Sequence, residues 1–330
     1  MTALTTLLLA TALARDVTPD APLSIVNGQN EDGYPSTVAM GYDAGGFRQS
    51  TCTASLITPT ILLTAGHCIE ELQFPEEVLL EYGVAFLGPD IRDAEVIAFK
   101  KIEVHPGYQS LGGASGTPKN DYAIIELEEP VRGVQPVWFN TDELTDEVIG
   151  TRLVSVGYGI TDAATQQGGG RKRSAKIKIS DVDGQFLVSE TAGNPGEGNV
   201  CSGDSGGPQY YEDESGRLIQ WSVHSWADQY CLFMSGSSRT DAVGDWILGQ
   251  VDDVHGTTDF CALSGRFGDG TCDDWCDTVD PDCLMALGSG SGTGSASGGG
   301  GGSSSGCDTT GAAAFGWASL LAMAARRRKA

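Results

Sequence analysis

"VCSGDSGGPQYY", residues 200–211, carries two readings. Gly, Asp and Ser are the usual turn formers, so Asp204-Ser205-Gly206-Gly207 is on one reading an ordinary turn. On the other, Ser205 is a nucleophile. A serine hydroxyl is weak alone and needs a base, an orienting acid and donors for a developing oxyanion. The chain has four histidines, His67, His105, His224 and His255. His67 ends the apolar run "ILLTAGHC" (61–68), beside Cys68. A bridge from Cys68 to Cys52 would pin the histidine loop to the preceding strand. "KNDYAIIEL" (119–127) sets Asp121 directly before an apolar strand. That is a place for a buried carboxylate that stays charged and holds one histidine tautomer.

Around these stretches the chain is rich in short β-type runs separated by Gly, Pro, Asp and Asn. "ASLITPTILLTA", "VIAFKKIEV", "YAIIEL", "TRLVSVGYG" and "LIQWSVHSW" are examples. Many short strands between turn signals point to an all-β barrel or sandwich. Only "TDAVGDWILGQVDD" (240–253) reads as a helix, with Val243, Trp246, Ile247 and Val251 at helical spacing.

The chain has 330 residues, 20 Lys plus Arg against 44 Asp plus Glu, and a formal net charge of -24. That balance argues against nucleic acid as a partner, because phosphate binding needs clustered cations. The basic stretch "RKRSAKIK" (171–178) reads as a solvated strand edge. Nine cysteines are many for a reducing compartment. "MTALTTLLLATALA" (1–14) has an apolar centre and ends in Ala12-Leu13-Ala14, which fits a secretory signal peptide without the usual leading cation. The expected location is therefore secreted or extracellular.

"LTAGHC", "NDYAIIEL" and "CSGDSGGP", in that order, resemble the signatures of trypsin/chymotrypsin-like serine proteases. The resemblance covers residues 25 to about 253. It implies two six-stranded antiparallel β-barrels followed by a C-terminal helix. It also implies that Ser205 attacks the scissile carbonyl, that His67 is the general base and that Asp121 orients the imidazole. The N–H groups of Gly203 and Ser205 would form the oxyanion hole. "HSWA" (224–227) resembles the family's substrate-pairing strand, so Ser225, Trp226 and Ala227 would line the cleft. Cys201 and Cys231 match a family disulfide. "SIVNGQ" resembles the family's mature amino terminus. Cleavage before Ile25 would free an amine to pair with Asp204, making residues 15–24 a propeptide and implying an activating protease. The preceding residue is Ser24, where many zymogens of the family carry Arg or Lys. Asn199 takes the place of the residue that usually floors the specificity pocket. Being neutral, it points to uncharged side chains at the cleaved bond, and Ala227, where the family commonly has Gly, narrows the pocket towards side chains of medium size. His105 and His224 read as structural.

Residues 256–287 form a Cys- and Asp-rich module. "FCALSGRFGDGTCDDWCDTVDPDC" (260–283) holds four cysteines, read as two disulfides of undetermined pairing, with zinc as the alternative. The segment resembles Notch-type repeats, and Asp269, Asp273, Asp277, Asp280 and Asp282 offer oxygens suited to calcium. Residues 288–306 are a Gly/Ser linker, spanning roughly 25 Å as a random coil. Residues 307–330 place Cys307, an apolar stretch and "RRRK" in the order of C-terminal sorting signals of the myxobacterial type, implying membrane or cell-surface attachment. The expected partners are protein or peptide substrates. The expected function is a secreted serine endopeptidase of residues 25–255. The competing reading is an inactive protease-like domain kept for binding.

Overall fold

The computed structural model describes residue 25 and residues 28–72, 74–110, 117–191 and 197–288, the side chains of 285–288 aside. The signal-peptide, propeptide, linker and tail expectations lie outside these residues, except that Gly288 is described. Among the described residues there are fifteen strands. They are β1 (Gln29–Asn30), β2 (Thr37–Ala44), β3 (Phe47–Thr58), β4 (Ile61–Thr64), β5 (Gly83–Leu87), β6 (Glu95–Val104), β7 (Ala123–Leu127) and β8 (Trp138–Phe139). The second half adds β9 (Arg152–Gly157), β10 (Arg173–Lys178), β11 (Asp181–Asp183), β12 (Phe186–Glu190), β13 (Pro208–Glu212), β14 (Leu218–Ala227) and β15 (Met234–Arg239). The α-helices among the described residues are α1 (His67–Glu70), α2 (Glu76–Tyr82), α3 (Gly244–His255), α4 (Phe260–Leu263) and α5 (Pro281–Gly288).

Strands β2-β3-β4-β7-β6-β5 close into a barrel. Its inner faces are filled by Val38, Leu56, Leu62, Ile97, Phe99, Ile102 and Ile125, all buried. In β6 the alternation slips after Phe99. There a register shift against β7 inserts an extra residue and returns Ile102 to the core side. The second half is a nine-stranded sheet in the order β1-β10-β9-β13-β14-β15-β12-β11, with β8 pairing β14. Six of its strands have five residues or more. The other three, β1, β8 and β11, are two- or three-residue additions. The all-β architecture therefore stands, with six principal strands in each half.

The helical pattern of 240–253 becomes a 3₁₀ turn at Asp241–Val243 running into α3. Val243, Ile247 and Val251, four residues apart, join the core of the first barrel. The basic stretch 171–178 departs from its reading as a solvated edge. Two-residue β1 pairs the start of β10, and Lys172 is buried. Its ammonium donates to the carbonyls of Gly33 and Tyr34, and burial pushes it down to about 8.

The Cys-rich segment packs on the protease half around Trp275. The guanidinium of Arg217 lies 4.4 Å from the Trp275 ring centroid and that of Arg266 lies 4.9 Å from it. Phe260 stands 4.8 Å from Trp138 of β8. The four cysteines pair Cys261–Cys276 and Cys272–Cys283. Their sulfurs are thus consumed, which removes the zinc alternative. The aspartates are engaged one by one. Asp282 accepts from the N–H of Gly268 and Gly270, Asp280 from those of Asp273 and Asp282, and Asp269 from that of Thr271. Asp273 faces Arg266 at 3.3 Å. Among the described residues these carboxylates do not converge on one point as a calcium cage requires.

Trp275→Ala should free this module from the nine-stranded sheet, costing about 2–3 kcal/mol of local stability. Hydrogen exchange of the Phe260–Cys276 amides should quicken while β3 and β4 keep their protection. Unchanged exchange in the module would show that the ring does not hold it.

Candidate active site

The turn at Lys119-Asn120 sets up the acid. Asn120 takes φ +46, a left-handed conformation that Asn tolerates, and its amide donates to the Gly107 carbonyl at 2.9 Å. Asp121 follows directly, fully buried at the head of β7. Its Oδ1 accepts from the backbone N–H of His67 at 2.8 Å. Its Oδ2 lies 2.8 Å from His67 Nδ1 and accepts from Ser225 Oγ at 2.6 Å. Three contacts from two halves of the molecule thus fix the carboxylate. Burial alone would lower the His67 pKa. The hydrogen bond and charge of Asp121, with the charge of Glu71, more than offset it, so the pKa is raised.

His67 opens α1, and the disulfide Cys52–Cys68 ties that helix to β3. Because both sulfurs are in the bridge, the neighbouring Cys52, His67 and Cys68 offer no thiolate to a metal. His67 and Ser205 line one cleft of about 300 Å³, together with Val200, Cys201, Ser202, His224, Ser225, Trp226 and Ala227. No hydrogen bond among the described residues joins His67 to Ser205, a contact that commonly tightens only when substrate is bound. A separate apolar cavity of about 180 Å³, lined by Met40, Leu79 and Phe99, contains neither of them and offers no base.

The Ser205 turn is shaped by glycine. Gly203 has φ +93, and a Cβ there would stand 2.9 Å from Gly159 Cα. Gly206 has φ +80, and a Cβ there would stand 2.0 Å from Thr64 Oγ1. Thr53 of β3 holds the turn: its N–H donates to the Ser205 carbonyl and its hydroxyl to the Gly203 carbonyl, both at 2.8 Å. The N–H groups of Gly203 and Ser205 meet no hydrogen-bond acceptor among the described residues.

Asp204 points the other way and is fully buried. It accepts from the N–H of Gly159 at 2.8 Å and of Cys201 at 2.9 Å. Burial raises its carboxyl to about 7, against those two N–H groups and the charge of Arg173. Space for it exists because residues 157 and 159 lack side chains; a Cβ on Gly157 would stand 2.2 Å from Oδ1. Ile25 is buried against Ile177 and Val200, and its nitrogen is a peptide nitrogen in this uncleaved chain. The Asp204–Ile25 pair expected from the sequence is not among the bonds of Asp204.

Cys201 is bonded to Cys231. Asp228, inside that loop, takes the N–H groups of Tyr230, Leu232, Phe233 and Met234 on its carboxylate. Trp226 lies over Gly236 of β15. Asn199 is buried beside Val200, which lines the cleft. His105 is structural: Gly107 N–H donates to its Nδ1, and its ring meets Trp246 edge-on. The bond of Ser225 to Asp121, the role of Thr53, and Gly157 and Gly159 were not read from the sequence. The spacing of the two glycines in "VGYGI" was the available signal.

Residues 25–247 match the trypsin family, so the chain belongs to it and is a trypsin-like serine protease by kinship. A trypsin-like protease of Streptomyces glaucescens is 28% identical over 218 residues, covering 61% of this chain and 70% of that protein. Venom serine protease 34 of Apis mellifera is 21% identical over 246 residues, and brachyurin of Leptuca pugilator is 28% identical over 182. The chain spans 58% of the venom protease and 32% of the coagulation factor XII of Sus scrofa, which it matches at 26%.

Proposed function

We propose that residues 25–255 are a secreted serine endopeptidase that cuts protein or peptide substrates through an acyl-enzyme. The observation that carries this reading is the buried Asp121 carboxylate bonded to His67, with Ser205 lining the same cleft. Ser205 Oγ attacks the carbonyl as His67 Nε2 takes its proton. The carbonyl oxygen, now anionic, is met by the two unpaired N–H groups of Gly203 and Ser205. His67 returns the proton to the leaving amine, and water then hydrolyses the ester by the same path. A fluorophosphonate probe should label Ser205, and Ser205→Ala should abolish labelling. Since the base must be neutral, kcat/KM falls as pH drops through the raised His67 pKa, above the ordinary value of about 6.5. A folded chain cleaved before Ile25 that stays unlabelled would overturn the reading.

We further propose activation by cleavage before Ile25. Two features support it. Ile25 has φ +37, a costly conformation for a β-branched residue, and cleavage removes the peptide bond that imposes it. Asp204 is a buried carboxyl with no cation bonded to it among the described residues, and a new amine would supply one. The sign of the pH effect follows. Below about pH 4 the carboxyl is protonated in both folded and unfolded chains and costs nothing. Towards pH 7 the unfolded chain ionises while buried Asp204 resists, so the uncleaved fold loses stability, on the order of 4 kcal/mol. The rise in Tm on cleavage should therefore grow from pH 4 to pH 7. An equal rise at both would count against the pair.

The tail 307–330 is proposed as a surface-sorting segment of the myxobacterial type, on the strength of its Cys, apolar stretch and basic end. Deleting it should release the protease into the medium; protease still bound to cells would contradict this.

A further inference from the structure

Besides the indole nitrogen of Trp226, two buried polar groups beside the cleft have no hydrogen-bond partner among the described residues. The first is Nε2 of His224, on β14, a residue 1% exposed that lines the same cleft as His67 and Ser205. The second is Nδ2 of Asn199, also 1% exposed, next to Val200 and Cys201 of the cleft wall. Buried polar groups are as a rule paired, so two orphans at one wall ask for a ligand. Their chemistry is fixed by what their other atoms do. Val200 N–H donates to Asn199 Oδ1 at 3.1 Å, which orients the amide and leaves its NH₂ unmet. His224 Nδ1 lies 3.0 Å from Ser237 Oγ across the β14–β15 ladder. With the Ser237 hydroxyl donating to Nδ1, the ring proton sits on Nε2. Both unmet groups are then N–H donors.

We propose that His224 is a specificity-determining residue, and that its Nε2–H, with the Asn199 amide, receives the side-chain carboxylate of a Glu or Asp at the cleaved bond. The proposal rests on the reading of Ser205 as the nucleophile and names the substrate class of that same cleft. It revises the uncharged preference drawn from Asn199 alone.

A carboxylate brings acceptors only. A Gln or Asn side chain would add two further N–H donors to a wall that already carries two unmet ones. Burial pushes His224 down to about 3, so the ring is neutral. A bound carboxylate would supply the counter-charge for a second ring proton, Nδ1–H then donating to Ser237 Oγ. The other carboxylates of the lining do not oppose this strongly. Asp228 is compensated by the four backbone N–H groups on its oxygens, and exposed Glu71 is screened by solvent.

The test uses the matured full chain and four peptide p-nitroanilides that differ only in Glu, Asp, Gln or Leu at the cleaved bond. One of the acidic substrates should exceed both Gln and Leu in kcat/KM by roughly tenfold to a hundredfold, the worth of a hydrogen bond to a charged group. His224→Val should collapse that ratio. His224→Gln, which keeps a side-chain N–H, should restore part of it, an order that a merely structural role would not produce. Each variant is checked by its Tm and by fluorophosphonate labelling. Labelled wild-type protein that prefers Leu or Gln overturns this proposal alone. Folded protein that never labels overturns the nucleophile reading and this one with it.

Discussion

One threonine keeps the two halves of the cleft in register. Thr53 is fully buried on β3 of the barrel that carries His67 and Asp121. Its N–H and hydroxyl donate to carbonyls on either side of Asp204, those of Ser205 and Gly203. The same hydroxyl accepts from Tyr158 N–H at 3.1 Å, and its carbonyl accepts from Thr64 Oγ1 at 2.9 Å. Every polar atom of the residue is thus committed, mostly across the boundary between barrel and sheet. Chemistry at a serine tolerates little error, since a displacement of about 1 Å costs on the order of a hundredfold in rate. The cleft exists where it does because β3 is threaded beneath the Ser205 turn.

A second constraint works from below. Asp204 and Ser205 are adjacent, yet one side chain goes down into the protein and the other up into the cleft. The downward path is open only because Gly157 and Gly159 leave the room that side chains would fill. A carboxyl held there by two N–H groups and resisting ionisation is a costly thing to keep. Its cost ties the shape of the turn to whatever charge reaches that void. Ser225 plays the matching part on the other side. It belongs to the strand that lines the cleft, and it also fastens the carboxylate that orients His67.

The parts of this arrangement that could be read from the sequence are those written in contiguous residues. "LTAGHC" and "CSGDSGGP" are local because a tight turn dictates its own glycines and the functional side chain sits within it. The α3 helix was legible for the same reason, its apolar residues recurring every four positions. What escaped was set by distant contacts. Lys172 sits in a run that looks solvated, and its burial depends on carbonyls of Gly33 and Tyr34 far upstream. Asn199, taken alone, reads as a neutral floor; its unmet NH₂ becomes meaningful only beside the imidazole of His224. The aspartates of 269–282 look like cation ligands by composition, but Asp269, Asp280 and Asp282 accept local backbone N–H groups and Asp273 pairs with Arg266.

The four disulfides among the described residues have a consequence for how the chain is made. Cys52–Cys68 lies within the barrel, Cys201–Cys231 within the sheet, and Cys261–Cys276 and Cys272–Cys283 within the terminal module. None crosses from one part to another. The first two partners are consecutive cysteines, so as the chain emerges from its amino end each bridge can close before the next thiol arrives. Only the last two bridges interleave. There, four thiols compete within 23 residues, and docking of the Trp275 ring between its two guanidiniums is what can select among the pairings. Oxidation in the protease halves is thereby a matter of timing, and in the module a matter of packing.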